Sequence, residues 1–311
     1  MAATPLMQQY YEIKKQNPGC ILFFRMGDFF ELFEEDAVIA SKILGLTLTS
    51  RNNGAAGETP LCGFPHHAAD RYVPKMVAAG YRIAICEQVE DPKLAKGIVK
   101  RDVVEIISAG TAMDETNLNA KEANYLCAYM PAESGDESVF AFADVTTGYL
   151  AVSRSSVQAF ECEFCRRMPK EVVVAEGCEI PSGVMDIIRS ENILITEIPA
   201  FLFGAEHGRD VLFSHFKVES LVGLGLDGRD SETAVTGALL QYLMDQKKSE
   251  LSHFTGLEIL NLDDYMTLDP STLRNLELVR PLNADDYSST LCSVLDFTVT
   301  AMGGRVLKDW V

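Results

Sequence analysis

The stretch from Cys20 to Glu35, CILFFRMGDFFELFEE, restricts the folding of this chain more than any other. Cys20 to Met26 is an almost continuous apolar run of strand length, interrupted only by Arg25, and Gly27 lacks the Cβ that would oppose a tight turn. Asp28 and Glu31 stand at capping-box spacing. The Asp carboxylate can accept from first-turn N–H groups and the Glu can reach back to the cap. The stretch therefore predicts a strand passing into a helix, with Phe29 and Phe30 at the first helical positions. Phe30, Phe33, Ala37, Ala40 and Leu44 then recur at three and four residues, with Phe29, Leu32, Ile39 and Ile43 beside them, which gives one broad apolar face. Two roles fit the aromatic pair. Both rings are core and Glu31 only caps, or an aromatic two residues from a carboxylate forms a stacking and hydrogen-bonding pair for a flat ligand such as a nucleobase.

Charge restricts what such a pair could bind. The chain has 311 residues and a formal charge of −18, which opposes nucleic acid, because backbone affinity comes from Lys and Arg neutralising phosphates. The charge is unevenly spread: residues 1–110 carry 12 Lys and Arg against 13 Asp and Glu, and residues 111–311 carry 15 against 32. The first third can touch DNA through local patches, and the remainder is repelled. The length suggests two domains or slightly more. No apolar stretch approaches a membrane span, and MAATPLMQQYY has no basic start followed by an apolar core, so a cytoplasmic protein is expected. The eight cysteines sit mostly inside apolar runs and read as buried thiols; Cys162 and Cys165 form a lone C-x-x-C without partners for zinc.

Thr4 and Pro5 start a helix that ends before Asn17, Pro18 and Gly19. After the central stretch come a short strand at Leu46 to Ser50, a polar loop at Arg51 to Thr59 and a helix from His66 and His67 to Ala79. Strands at Arg82 to Gln88 and Val103 to Ile107 flank a polar loop containing Lys93 and Lys96. Adjacent histidines cannot both point inward on a helix, so one is exposed. Residues 111–123 have little periodic apolar content and mark a boundary. Three meandering strands follow at 125–130, 138–145 and 149–153. Then come a helix at 156–168, a strand at 171–175, a helix at 183–189 and a strand at 193–198, which suggests a mixed sheet with helices on it. Further helices are expected at 210–216, 231–248 and 273–279, with extended pieces at 257–261 and 266–268. Gly303 and Gly304 precede RVLKDWV, an amphipathic helix without a stop signal before Val311, as if the chain were cut within an element.

TPLMQQYYEIK at Thr4 to Lys14, FFRMGDFFELFEEDA at Phe23 to Ala37, GETPLCGFPHHA at Gly57 to Ala68 and AICEQ at Ala84 to Gln88 occur in one order and spacing. In these stretches the sequence resembles the N-terminal part of the MutS family of DNA mismatch-recognition proteins. The resemblance implies a multidomain α/β fold: a mixed-sheet mismatch-recognition domain at 1–110, a linker at 111–123, a ribonuclease-H-like connector at 124–249 and the beginning of a lever domain at 250–311. In that family a Phe-x-Glu motif enters DNA from the minor-groove side, the ring stacking on a mismatched base and the carboxylate bonding to it. Those roles fall on Phe29 and Glu31. Successive positions at a helix start point about 100° apart, so the Phe29 ring is expected to be at least partly exposed while Phe30 and Phe33 are buried. Arg51, Asn52, Leu61, Lys93 and Lys96 are the further candidate DNA contacts, and Gly27, Asp28, Phe30, Phe64 and His67 support the site, His67 through a structural hydrogen bond. The implied partners are mismatched double-stranded DNA, a second MutS-like subunit bound through regions largely absent here, and a MutL-like repair protein met through the connector.

The sequence contains no G-x-x-x-x-G-K-[ST], so no cofactor is expected in this chain, and ATP and Mg belong to an ATPase region of a full-length parent. A protein-interaction scaffold without mismatch binding is the alternative suggested by the acidic composition. A ribonuclease-H-like nuclease would need acids converging on two metal ions. Asp144, Glu161 and Asp186 are its candidates, and the bland role for Asp144 is to hold the turn at Thr146 to Gly148.

Overall fold

The computed structural model describes residues 4–52, 58–90, 97–112, 121–132, 136–248, 251–262, 268–283 and 286–311. Its contacts divide into two compact units, residues 1–112 with 244–250, and residues 113–243 with 251–311.

In the first unit, helix α1 (Pro5–Gln16) begins where Thr4 caps it and Pro5 takes the first position, and it buries Met7, Tyr10 and Ile13. Strand β1 (Cys20–Met26) is followed by β2 (Phe29–Phe33), and only then by helix α2 (Glu34–Leu44), which ends on Gly45 at φ 69°. The expected helix start at Phe29 and Phe30, with its Asp28–Glu31 capping box, is therefore corrected to a β-hairpin. Met26 pairs with Phe29 across a two-residue Gly27–Asp28 turn. Gly27 has φ 58° and Asp28 is not among the positive-φ residues, the pattern of a type II′ turn, whose twist matches that of the strands it joins. The turn chemistry prevailed over the helical spacing because the antiparallel pairing satisfies the backbone groups of both strands at once.

Strands β3 (Thr49–Asn52) and β4 (Glu58–Pro65) follow, then helix α3 (Ala69–Ala78), β5 (Arg82–Gln88) and β6 (Arg101–Ile107). They form a six-stranded sheet in the order β3-β4-β2-β1-β5-β6, with β1 and β5 parallel. The short strand expected at Leu46 to Ser50 lies later, at Thr49–Asn52, where it pairs with β4.

Period-2 alternation gives this sheet two buried faces. Leu22, Phe24 and Phe33 pack with α1 residues Met7, Tyr10 and Ile13. Ile21, Phe23, Phe30 and Leu32 pack with Ala37, Ala40 and Leu44 of α2 and Met76 of α3. The Asp36 carboxylate, buried at the start of α2, receives both the Lys14 ammonium at 2.7 Å and the Leu22 N–H at 3.0 Å, and Lys14 also donates to the Cys20 carbonyl. This ties α1, β1 and α2 together, with the charge of the buried acid compensated.

In the second unit, β7 (Tyr125–Pro131), β8 (Glu137–Asp144) and β9 (Tyr149–Ser156) form an antiparallel meander. Helix α4 (Val157–Arg167), β10 (Glu171–Ala175), helix α5 (Ser182–Glu191) and β11 (Leu194–Ile198) follow. Helices α6 (Ala205–Phe216) and α7 (Asp230–Lys247) precede the two-residue strand β12 (Glu258–Ile259). The sheet order is β11-β10-β7-β8-β9-β12, with β10, β11 and β12 parallel to their neighbours. Phe160 and Phe164 of α4 fill its core beside Tyr129, Phe140 and Phe142.

Helix α8 (Pro270–Asn275) stops short of the helix expected over 273–279. After α9 (Leu291–Leu295), α10 (Ala301–Trp310) begins before the glycines, not after them. The Thr300 hydroxyl accepts from the Gly303 N–H at 3.1 Å, and a Cβ on Gly304 would meet the Lys121 chain at 2.5 Å, so the glycines lie within a closely packed first turn. The extended piece expected at 266–268 lies mostly outside the described residues.

Candidate nucleic-acid interface

The hairpin turn is bonded at both carbonyls. Arg25 Nε donates to the Gly27 oxygen at 2.6 Å, while its Nη1 meets Glu87 at 3.2 Å and its guanidinium lies 5.6 Å from the Phe30 ring centroid. His66 donates its backbone N–H to the Asp28 carbonyl at 2.9 Å, and its Nδ1 lies 3.1 Å from the same oxygen, within reach to donate to it in the Nδ1–H tautomer. The structural hydrogen bond expected of His67 is thus made by His66, and His67 is exposed. Pro65 sets the reason: it ends β4 opposite Phe29, which leaves the next residue, His66, beside the turn.

Phe29 is 47% exposed, whereas Phe30 is 2% and Phe33 0% exposed. Strand alternation produces this difference, and helical rotation has no part in it. Phe30 turns to Phe23 and Phe64, whose rings lie 6.1 and 5.9 Å away, and Phe64 packs in turn on Tyr72 at 4.6 Å. Phe29 lies between Met26 and Pro65 in the sheet, and Glu31, half-buried, lies between Phe24 and Gly63. Phe29 and Glu31 share one face, about 7 Å apart along the strand. Gly63 is required there: an added Cβ would lie 2.8 Å from the Phe30 carbonyl oxygen and 3.6 Å from Glu31 Cγ. An exposed ring and a carboxylate thus stand side by side on a braced hairpin, as a flat, hydrogen-bonding ligand requires.

Leu61 is half-buried opposite Phe33 and packs with the α1-side core. Arg51 and Asn52, on β3, pair with Thr59 and Glu58 of β4, the strand that lies between them and the hairpin. Lys93 and Lys96 lie outside the described residues. Sequence reasoning missed Arg25, Gly63 and His66. The hairpin signal was present, since Gly-Asp between two apolar runs is a two-residue turn signature. Gly63 and His66 are specified only by neighbours across the sheet and its turn.

The acids of the second unit do not converge. Asp144 accepts from the Thr146 N–H at 2.8 Å and its hydroxyl at 2.7 Å, which holds the turn before Gly148. Asp186 is exposed and lies 3.8 Å from Arg189, and Glu161 lies against Gly183. Burial pushes the thiols of Cys162 and Cys165 above their ordinary range, which disfavours the thiolates that metal binding or redox exchange needs. Among the described residues no group of three or more His, Cys, Asp or Glu could hold a metal, and no helix is long and apolar enough to cross a membrane.

Three family models match: MutS domain I over residues 4–116, MutS domain II over 124–255 and MutS domain III over 271–311. The chain is 40% identical to the DNA mismatch repair protein MutS of Salinibacter ruber, over 99% of this chain and 34% of that protein. It is 39% identical to the protein of the same name from Chlorobaculum parvum and 38% to that from Methanococcoides burtonii, each over 99% of this chain and 35% of the relative. The chain spans about a third of the length of these relatives.

Proposed function

The chain belongs to the MutS family, whose first three domains its sequence follows in order, and we propose that its N-terminal unit recognises mispaired or looped double-stranded DNA in mismatch repair. The observation that carries this reading is the exposed Phe29 ring with Glu31 two residues on, on one face of a hairpin braced at its turn. A mispaired step unstacks more cheaply than a paired one, and a bent duplex accepts an aromatic wedge in its minor groove. Phe29 supplies the wedge and stacks on the displaced base. Glu31 accepts a hydrogen bond from that base. A carboxylate close to phosphates adds repulsion, so Glu31 serves discrimination more than affinity. Arg51, Asn52, Leu61, Lys93 and Lys96 are proposed as surrounding contacts.

Residues 1–110 are nearly neutral, so most of the positive surface that holds DNA has to come from a larger assembly, including a second subunit. The acidic remainder favours a protein partner over DNA, and a MutL-like repair protein meeting the second unit fits it. ATP and Mg, which the family resemblance implies for a full-length parent, do not fit the residues present. The sequence has no Walker motif and the described acids form no metal group, so no step passes through either.

Titration of the full-length protein with matched and mismatched duplexes, at several salt concentrations, tests the proposal. A mismatch preference that survives near-physiological salt is expected. Equal affinities throughout would favour the interaction-scaffold alternative.

A further inference from the structure

Arg101 opens β6 on the α1 side of the sheet and is only 7% exposed. Its side chain reaches over β5, and the guanidinium lies 5.1 Å from the centroid of the Phe24 ring on β1. Nε donates to the Arg25 carbonyl at 2.6 Å; Nη1 donates to Gln9 Oε1 at 3.1 Å and to the Val99 carbonyl at 2.8 Å. These bonds fix a positive charge on the ring that is the cross-strand partner of Glu31. Burial draws the Arg101 pKa below the usual arginine range, and the fields of Cys86 and Glu31 oppose that shift, so cation and carboxylate feel one another.

We propose that Arg101 is a positioning residue for Glu31: its fixed guanidinium supplies the local positive potential that holds the Glu31 carboxylate on the ligand-facing side of the hairpin when the phosphates of a duplex approach. The inference rests on the reading of Glu31 as a base contact. Unlike a surface lysine, a buried cation is screened little by salt, so its support continues where phosphate repulsion fades. Arg101 itself touches no base in this arrangement, and its effect passes through Glu31.

A double-mutant cycle in the full-length protein tests it, using Arg101→Gln, Glu31→Gln and the pair, with matched and mismatched duplexes. Arg101→Gln is expected to lower the mismatch preference about fivefold, and less than about twofold in the Glu31→Gln background, the scale of coupling between side chains in one network. Arg101→Lys keeps the charge and is expected to retain most of the preference. Equal losses in both backgrounds, or matched and mismatched binding falling together, would make Arg101 a purely structural residue and overturn the inference. If Arg101→Gln does not fold, the same cycle with Arg101→Lys decides: a loss above about fivefold in a folded protein overturns it. If Glu31→Ala, which removes the acceptor that Glu31→Gln keeps, leaves the preference unchanged on its own, the base-contact reading has failed, and that single variant reports it separately.

Discussion

Replacing Phe29 by Ala removes the ring proposed as the wedge while leaving the hairpin's own fastenings in place. The ring is 47% exposed, so the fold loses only the part that is buried. Full burial of a Phe side chain is worth about 1.5–3 kcal/mol, and losing about half of it costs roughly 1 kcal/mol, small against a typical stability of about 5–15 kcal/mol. The buried supports, Phe30 on Phe23 and Phe64, are untouched. On the mismatched complex the loss is larger. A base stacked on an aromatic ring is worth about 1–3 kcal/mol, roughly 5- to 150-fold in affinity. Binding to paired DNA rests on phosphate contacts elsewhere and should change little. Equilibrium titration of the full-length variant against a matched and a mismatched duplex, with thermal melting as the control for folding, reads both numbers. The ratio of the two affinities should fall toward one. An unchanged ratio in a folded variant would refute the assignment of Phe29, however exposed its ring.

Glu31→Ala should behave differently: it deletes a base contact and relieves repulsion from phosphates, so the mismatch preference should fall while matched binding holds or strengthens, and titrations at rising salt should see that strengthening fade. Gly148 has φ 73°, and a Cβ there would run into the His253 carbonyl; Gly148→Ala should therefore destabilise the second unit by about 2–4 kcal/mol in denaturant unfolding. Loss of less than half a kcal/mol would show that the turn relaxes freely. Residues 1–110 are proposed to separate from the rest, so limited proteolysis should cut first within 109–124; protection there together with early cleavage inside 20–45 would rule out that boundary.

Much of this protein is written locally. The strand at Cys20–Met26, the helix capped by Thr4 and Pro5, and the strand-rich then alternating order of the second unit follow from periodicity and caps, which need only neighbours along the chain. Asp144 and its turn are equally local, because an Asp carboxylate reaches the N–H two residues on. The exposure of Phe29 beside a buried Phe30 was also expected, although for a helical reason that does not hold. What local spacing decided wrongly was the state of Phe29–Phe33, which the helical periodicity assigned to the helix after it although the same apolar residues also satisfy a strand. Pairing with β1 on one side and β4 on the other decided it, supplying partners for both edges of β2 that a helix start would have left to water. The supports of the candidate site belong to the same class. Gly63, His66 and Arg101 lie 32, 35 and 70 residues beyond Glu31 and meet the hairpin only across the finished sheet and its turn. No local signal marks a glycine that clears the Phe30 carbonyl of the neighbouring strand, or an arginine laid on Glu31's cross-strand neighbour, because cross-strand contacts exist only once register is set.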